Sequence, residues 1–219
     1  METKKIILYG ASNYGYEVAD LIFDINRSAN AKIYSIEGFI DDNAKQGGEL
    51  KNDLPILGNR SWIETNDISS FYFICCIGNP ETKAKVVAYL ESKKAKFTIL
   101  IHPSAIVSAT ATIEEGAIIM AGNILSTKCY IAKHVILNLA CTIGHNTLIG
   151  KYSTINPGSN ISGDVNLEEG VLVGTNATIL EKLTVGSYTT VGAASLVHTN
   201  LPEKVVVFGM PARILKSNK

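Results

Sequence analysis

Four histidines and four cysteines are the first places to look for chemistry in this chain: His102, His134, His145 and His198, with Cys75, Cys76, Cys129 and Cys141. His145 stands in Ile143-Gly-His-Asn-Thr-Leu148, and Gly163 follows eighteen residues later in Ser162-Gly-Asp164. An imidazole exchanges protons near neutral pH. A backbone N–H at a glycine can hold an oxyanion. A general base beside such a donor is the minimal equipment for acyl transfer. Zinc is the rival use of these histidines and needs three converging ligands. His134 and His145 are eleven apart, a multiple of neither six nor eighteen, and no His-x-x-x-x-His pair exists, so no metal is expected. The cysteines form no CxxC pair and read as free, buried thiols.

Eighteen residues matters because of the elements that must carry this pair. From Ile101, every sixth residue through Val107, Ile113, Ile119 and onward to Val197 is Ile, Leu or Val, with no slip. The fifth residue of each hexad is mostly small or β-branched, as at Ala105, Ala111, Cys129, Cys141, Ser153 and Ala177. Residues four apart on a strand share a face, so each hexad sends one large and one small side chain inward. Glycine follows the aliphatic at Gly144, Gly150, Gly174, Gly186 and Gly192, which suits a tight corner with unusual φ. A strand and a corner every six residues make a prism, three sides make one coil of eighteen, and coils stack at the ~4.8 Å spacing of paired strands. His145 then points outward at a corner with Gly163 stacked beside it. An outward histidine meets a cleft only where a neighbouring subunit supplies the other wall, so an oligomer is expected. The segment 205–215 leaves the repeat and reads as its cap.

The first hundred residues have a different grammar. The run 5–9 is a strand ending at Gly10-Ala-Ser-Asn-Tyr-Gly15, and a helix follows with Val18, Leu21, Ile22 and Ile25 on one face. Further strands are expected over 33–40, closed by Asp41-Asp42, over 71–77, bounded by Gly78-Asn79-Pro80, and over 97–101, with a helix over 83–94 and a loop through Pro55-Ile-Leu-Gly58. Strands alternating with helices imply a parallel sheet. Backbone N–H groups at the first helix start suit a phosphate. An acidic residue at the end of the second strand suits a ribose or base. The loop lacks the middle glycine of a full dinucleotide fingerprint. A nucleotide or nucleotide-sugar pocket is the functional reading. A glycine turn with solvent-facing carboxylates is the alternative.

The fold class is therefore α/β plus β: a small Rossmann-like parallel-sheet domain over residues 1–100, then a β-helix of hexapeptide repeats with its cap over residues 101–219. Apolar residues at 46% of the 219 supply a sizeable core, and twenty basic residues balance twenty acidic ones. Net neutrality argues against a nucleic-acid surface. No apolar run approaches the ~20 residues of a membrane span, and no signal peptide is read at the start, so a cytoplasmic protein without membrane insertion is expected.

The chain resembles the sialic acid O-acetyltransferase-type sugar acetyltransferases, a group that includes N-acetyltransferases of nucleotide-linked 4-amino-4,6-dideoxy sugars. The matching stretches are Ile7-Leu-Tyr-Gly-Ala-Ser12, Gly38-Phe-Ile-Asp-Asp42, Ile77-Gly-Asn79, Leu137-Asn138, Ile143-Gly-His145, Ser162-Gly163 and Gly209-Met-Pro-Ala-Arg213. The resemblance implies a left-handed parallel β-helix, a homotrimer, and acetyl-CoA as donor without a metal. It implies His145 as general base on the sugar amine, Gly163 at the thioester, and Asn138 placing the sugar or the histidine. The pantetheine arm would pass Thr154, Thr175 and Ala193, with Arg213 and Lys216 near the CoA nucleotide. The nucleotide-sugar would meet Ser12, Asn13, Tyr14, Asp41, Asp42 and Gly78. The family usually carries Asp or Glu after the histidine, where this chain has Asn146, an amide that orients an imidazole without stabilising its cation by charge. It often carries Gly-His in place of Asn13-Tyr14. Surface-glycan biosynthesis by N-acetylation is the leading reading. O-acetylation of a sugar and a non-catalytic nucleotide-sugar-binding scaffold are the alternatives. The missing carboxylate at 146 favours an amine over a hydroxyl acceptor and also keeps the scaffold reading open.

Overall fold

A computed structural model describes residues 3–43 and 54–217. They fall into two compact units, Met1–Gly78 with Thr82–Pro103, and Asn79–Glu81 with Ser104–Lys219.

The first unit is built on β1 (Lys4–Tyr9), α1 (Asn13–Ser28), β2 (Tyr34–Ile40), β3 (Ile56–Gly58), α2 (Ser61–Thr65), β4 (Phe71–Cys75), α3 (Pro80–Ser92) and β5 (Lys96–Phe97). The strands pair in parallel in the order β3-β2-β1-β4-β5. Ile6, Ile7 and Leu8 of β1 and Phe73 and Ile74 of β4 have no exposed surface, as strands covered on both faces require. The apolar stripe of α1, with Val18, Leu21 and Ile22, is buried. The order reverses at β1, so a crevice opens beyond the carboxyl ends of β1 and β4. Three local expectations change. Residues 55–58 include strand β3 rather than only a loop. The expected single strand over 97–101 is two short ones, Lys96–Phe97 and Leu100–Ile101. Helix α1 begins at Asn13, inside the glycine loop.

The second unit is a left-handed parallel β-helix. Two-residue strands recur every six residues and pair with those eighteen residues on. Thr142–Ile143 lies between Ile124–Leu125 and Asn160–Ile161 on the first face. Leu148–Ile149 lies between Tyr130–Ile131 and Asn166–Leu167 on the second. Thr154–Ile155 lies between Ile136–Leu137 and Leu172–Val173 on the third. The aliphatic column is sealed, with Ile131, Leu137, Ile149 and Ile155 at 0% exposure. The small inner column tolerates polar residues because corner carbonyls satisfy them. Thr147 Oγ1 donates to the Ser162 carbonyl at 2.8 Å, and Asn123 Nδ2 to the carbonyls of Met120 and Asn138 at 2.8 Å each. The cap pairs Thr190–Val191 with Val205–Phe208, which folds back antiparallel onto Arg213–Ser217.

The corners correct one expectation. The residue with left-handed φ is the third after the aliphatic, as at His134 (57°), Asn146 (56°) and Asp164 (59°), and not the glycine that directly follows it. Gly144 is required by contact: a Cβ there would stand 2.4 Å from the backbone nitrogen of Gly163 in the next coil.

Truncating the sealed column is expected to be costly. Ile155→Ala should lower stability to urea by about 2–5 kcal/mol, the range for emptying a packed aliphatic site. A midpoint shift equivalent to less than about 1 kcal/mol would mean that the column repacks.

Candidate active site

The corner joining the first and second faces brings four residues together. His145 is held by its own carbonyl, which accepts the Asp164 N–H at 2.8 Å, and by the Asn146 N–H, which donates to Thr127 O at 3.0 Å. Its side chain is 57% exposed. Gly163 lies under the ring: a Cβ there would fall 2.6 Å from both Cε1 and Nε2. The Ser162 and Asp164 N–H groups on either side are taken by Ile179 O and His145 O. The Gly163 N–H donates to no protein group among the described residues.

The other edge of the ring faces Asn146 and Asp164. Asn146 Nδ2 lies 3.2 Å from His145 Nδ1 and 3.0 Å from Asp164 Oδ1. Asp164 Oδ2 is 3.8 Å from Nδ1. Sequence reasoning left Asp164 out of the site, although its place eighteen residues after Asn146 was the signal for it. Two of the remaining histidines have structural surroundings, while His198 is exposed. His134 is 1% exposed and stacks on Tyr152 at 5.9 Å, and His102 Nε2 pairs with Asp24 Oδ2 at 3.2 Å. Among the described residues no group of three His, Cys, Asp or Glu side chains could hold a metal ion.

The expected donor and acceptor contacts fare differently. Thr175 and Ala193 are exposed and stack on one column, with the Ala194 N–H on Thr175 O at 2.8 Å. That column runs along the corner between the third and first faces, across the first face from His145. Asn138 stands on that same corner, and its Oδ1 accepts the Leu139 N–H at 2.9 Å, so it does not hold the imidazole of its own chain. Thr154 is 2% exposed, in one column with the buried Ile118 and Ile136; it offers no surface to a pantetheine arm. Arg213 is exposed in the cap hairpin, as is Lys216.

In the first unit, a crevice of about 470 Å³ lies at the carboxyl ends of β1, β2 and β4. Gly10, Ser12, Asp41, Asp42 and Gly78 line it. Asp41 braces the loop, its Oδ2 accepting the Ala11 N–H at 2.7 Å and its Oδ1 the Asn43 N–H at 2.8 Å. Asp42 accepts from the Tyr9 hydroxyl at 2.8 Å and from Arg60 Nε at 3.1 Å. The Arg60 guanidinium, with the Tyr9 hydrogen bond, holds the Asp42 carboxyl below the usual carboxylate range. Burial and then Asp42 push the Tyr9 phenol well up. Arg60, Thr82 and Lys85 also line the crevice and went unread, because Arg60 follows a strand taken for a loop. Asn13 and Tyr14 do not line it. They form the first turn of α1, and the Tyr14 hydroxyl is buried without a hydrogen-bond partner among the described residues, its pKa raised by burial.

Residues 5–90 match the PglD N-terminal domain. A 2,3,4,5-tetrahydropyridine-2,6-dicarboxylate N-acetyltransferase of Clostridium perfringens is 32% identical over 92% of this chain and 89% of its own length. The acetyltransferase domain of PglB from Neisseria gonorrhoeae, solved with acetyl coenzyme A, is 27% identical, with a TM-score of 0.87 over 98% of this chain and 100% of its own. PerB from Caulobacter crescentus, solved with CoA and GDP-perosamine, has the same fold, with a TM-score of 0.85 at 22% identity over 98% of this chain and 99% of its own. A parallel-sheet domain followed in the chain by a β-helix with a corner histidine, together with these relatives, defines a hexapeptide-repeat acetyltransferase. Within that class the chain belongs to the family of its Clostridium perfringens N-acetyltransferase relative, and its first part carries a PglD N-terminal domain.

Proposed function

We propose that the protein is an acetyl-CoA-dependent N-acetyltransferase acting on the 4-amino group of a nucleotide-linked 4-amino-4,6-dideoxy sugar. The observation that carries the reading is the His145 ring set against Gly163, whose N–H donates to no protein group among the described residues. The sugar amine attacks the thioester carbonyl, forming the C–N bond, and His145 Nε2 accepts the proton it sheds. The Gly163 N–H holds the oxyanion of the tetrahedral intermediate. Collapse breaks the C–S bond, and the imidazolium returns its proton to the departing thiolate. The crevice of the first unit takes the nucleotide, with Ser12 and the α1 start toward phosphate and Asp41 and Asp42 at the ribose or base end.

The donor's pantetheine arm follows the Thr175 and Ala193 column. In one chain that column and His145 flank opposite edges of the first face, so a homotrimer brings the column of one subunit to the histidine of the next. The reaction is assigned to the cytoplasm; among the described residues no helix is long and apolar enough to cross a membrane.

Product analysis tests the reading. Incubation with acetyl-CoA and GDP-perosamine, the ligand bound by PerB, or a dTDP- or UDP-linked 4-amino sugar should give one added acetyl group, stable to mild alkali as an amide is. An alkali-labile acetyl group would instead identify a hydroxyl acceptor and an O-acetyltransferase.

A further inference from the structure

We propose that Asp164 is the positioning carboxylate of His145, taking over from one coil away the part that a carboxylate at position 146 would play. This rests on the general-base role of His145 proposed above. A base acting through Nε2 needs its proton on Nδ1, and a cation forms on the ring as it accepts a second one. Asn146 meets neither need by itself: its amide nitrogen, 3.2 Å from Nδ1, donates to an unprotonated Nδ1 and so favours the proton on Nε2. The carboxylate of Asp164 meets both. Oδ2 lies 3.8 Å from Nδ1, and a small rotation about the side chain brings it to hydrogen-bonding distance. The Asn146 amide already ties Oδ1 at 3.0 Å, which keeps the carboxylate on the Nδ1 side. The coil repeat supplies this arrangement, because positions 146 and 164 stack in one column of left-handed corner residues. Lys128 and Lys182 occupy the same column one coil before Asn146 and one coil after Asp164, and Glu181 follows Gly163 in the neighbouring column.

Four proteins test the assignment: wild type, Asp164→Asn, the double variant Asn146→Asp with Asp164→Asn, and His145→Ala. Asparagine tolerates the left-handed φ at 164 as aspartate does, so the fold is kept. Asp164→Asn is expected to lower kcat on the order of tenfold to a hundredfold, within the reach of a general base made less effective, with KM for acetyl-CoA unchanged. The double variant, with its carboxylate moved next to the histidine, is expected to regain most of the lost rate. ¹⁵N spectra at alkaline pH read the same point without substrate: the wild-type His145 ring should carry its proton on Nδ1, and Asp164→Asn should shift it to Nε2. An unchanged kcat and tautomer in Asp164→Asn, or a double variant no faster than the single one, would overturn the assignment. His145→Ala with wild-type turnover would instead remove the general base itself, a separate failure.

Discussion

Replacing His145 by alanine is expected to lower kcat for acetyl transfer by about 10²- to 10⁴-fold, the usual worth of a positioned general base. The fold should survive, because the side chain is 57% exposed at a corner while the aliphatic column beneath it is sealed. Circular dichroism and the unfolding midpoint should therefore match wild type. Acetyl-CoA should still bind, since the substitution leaves the Thr175 and Ala193 column proposed to carry the pantetheine arm unchanged. The residual rate reports what the Gly163 N–H and substrate alignment contribute without a base. Turnover within a few-fold of wild type in a folded His145→Ala protein would mean that the amine reaches the thioester already neutral and needs no base.

The second large effect lies in the first unit. Gly15→Ala places a Cβ 2.2 Å from the Gly10 carbonyl oxygen and 3.1 Å from the Phe39 ring. The first of these contacts is with backbone, which cannot swing aside as a flexible side chain would. The α1 start must separate from the loop, and the Asp41 contact with the Ala11 N–H goes with it. Overpacking of this kind costs about 1–3 kcal/mol, sometimes more. The same displacement reshapes the crevice where the nucleotide is proposed to sit. The variant should show a lowered melting temperature and a KM for the nucleotide-sugar raised about tenfold, an affinity loss of roughly 1.4 kcal/mol, with KM for acetyl-CoA little changed. A variant with wild-type stability and KM would show that the loop yields at no cost and that the crevice is not the nucleotide site.

How much of this was legible in the sequence depended on how local each signal was. The hexads repeat without interruption, so the β-helix, its coil length and the stacking of Gly163 on His145 followed from counting. The position of the left-handed corner residue did not, because His134, Asn146 and Asp164 adopt it without glycine. The true demand on Gly144, contact with the next coil, depends on residues eighteen positions away. Asp164 was hidden for the same reason: a carboxylate was sought beside the histidine in the chain rather than above it in the stack. If Asp164 plays the proposed part, the missing carboxylate at 146 no longer favours an amine over a hydroxyl acceptor. In the first unit, Asp41, Asp42 and Gly78 were singled out because they follow strands, and they line the crevice. Tyr14 was misplaced because the loop was read as open through residue 15, whereas α1 already begins at Asn13 and turns the phenol inward. Thr154 was placed on the pantetheine path by the family resemblance, but it is 2% exposed.

The central claim is most directly tested by following free thiol release when the purified protein meets acetyl-CoA and a panel of acceptors. The panel should hold nucleotide-linked 4-amino sugars with UDP, dTDP and GDP, free sialic acid, and the tetrahydropyridine dicarboxylate that names the Clostridium relative. Thiol release with one nucleotide-linked amino sugar, lost in His145→Ala, is the predicted result. Release with the dicarboxylate or the free sugar alone, or none with any acceptor, would contradict it.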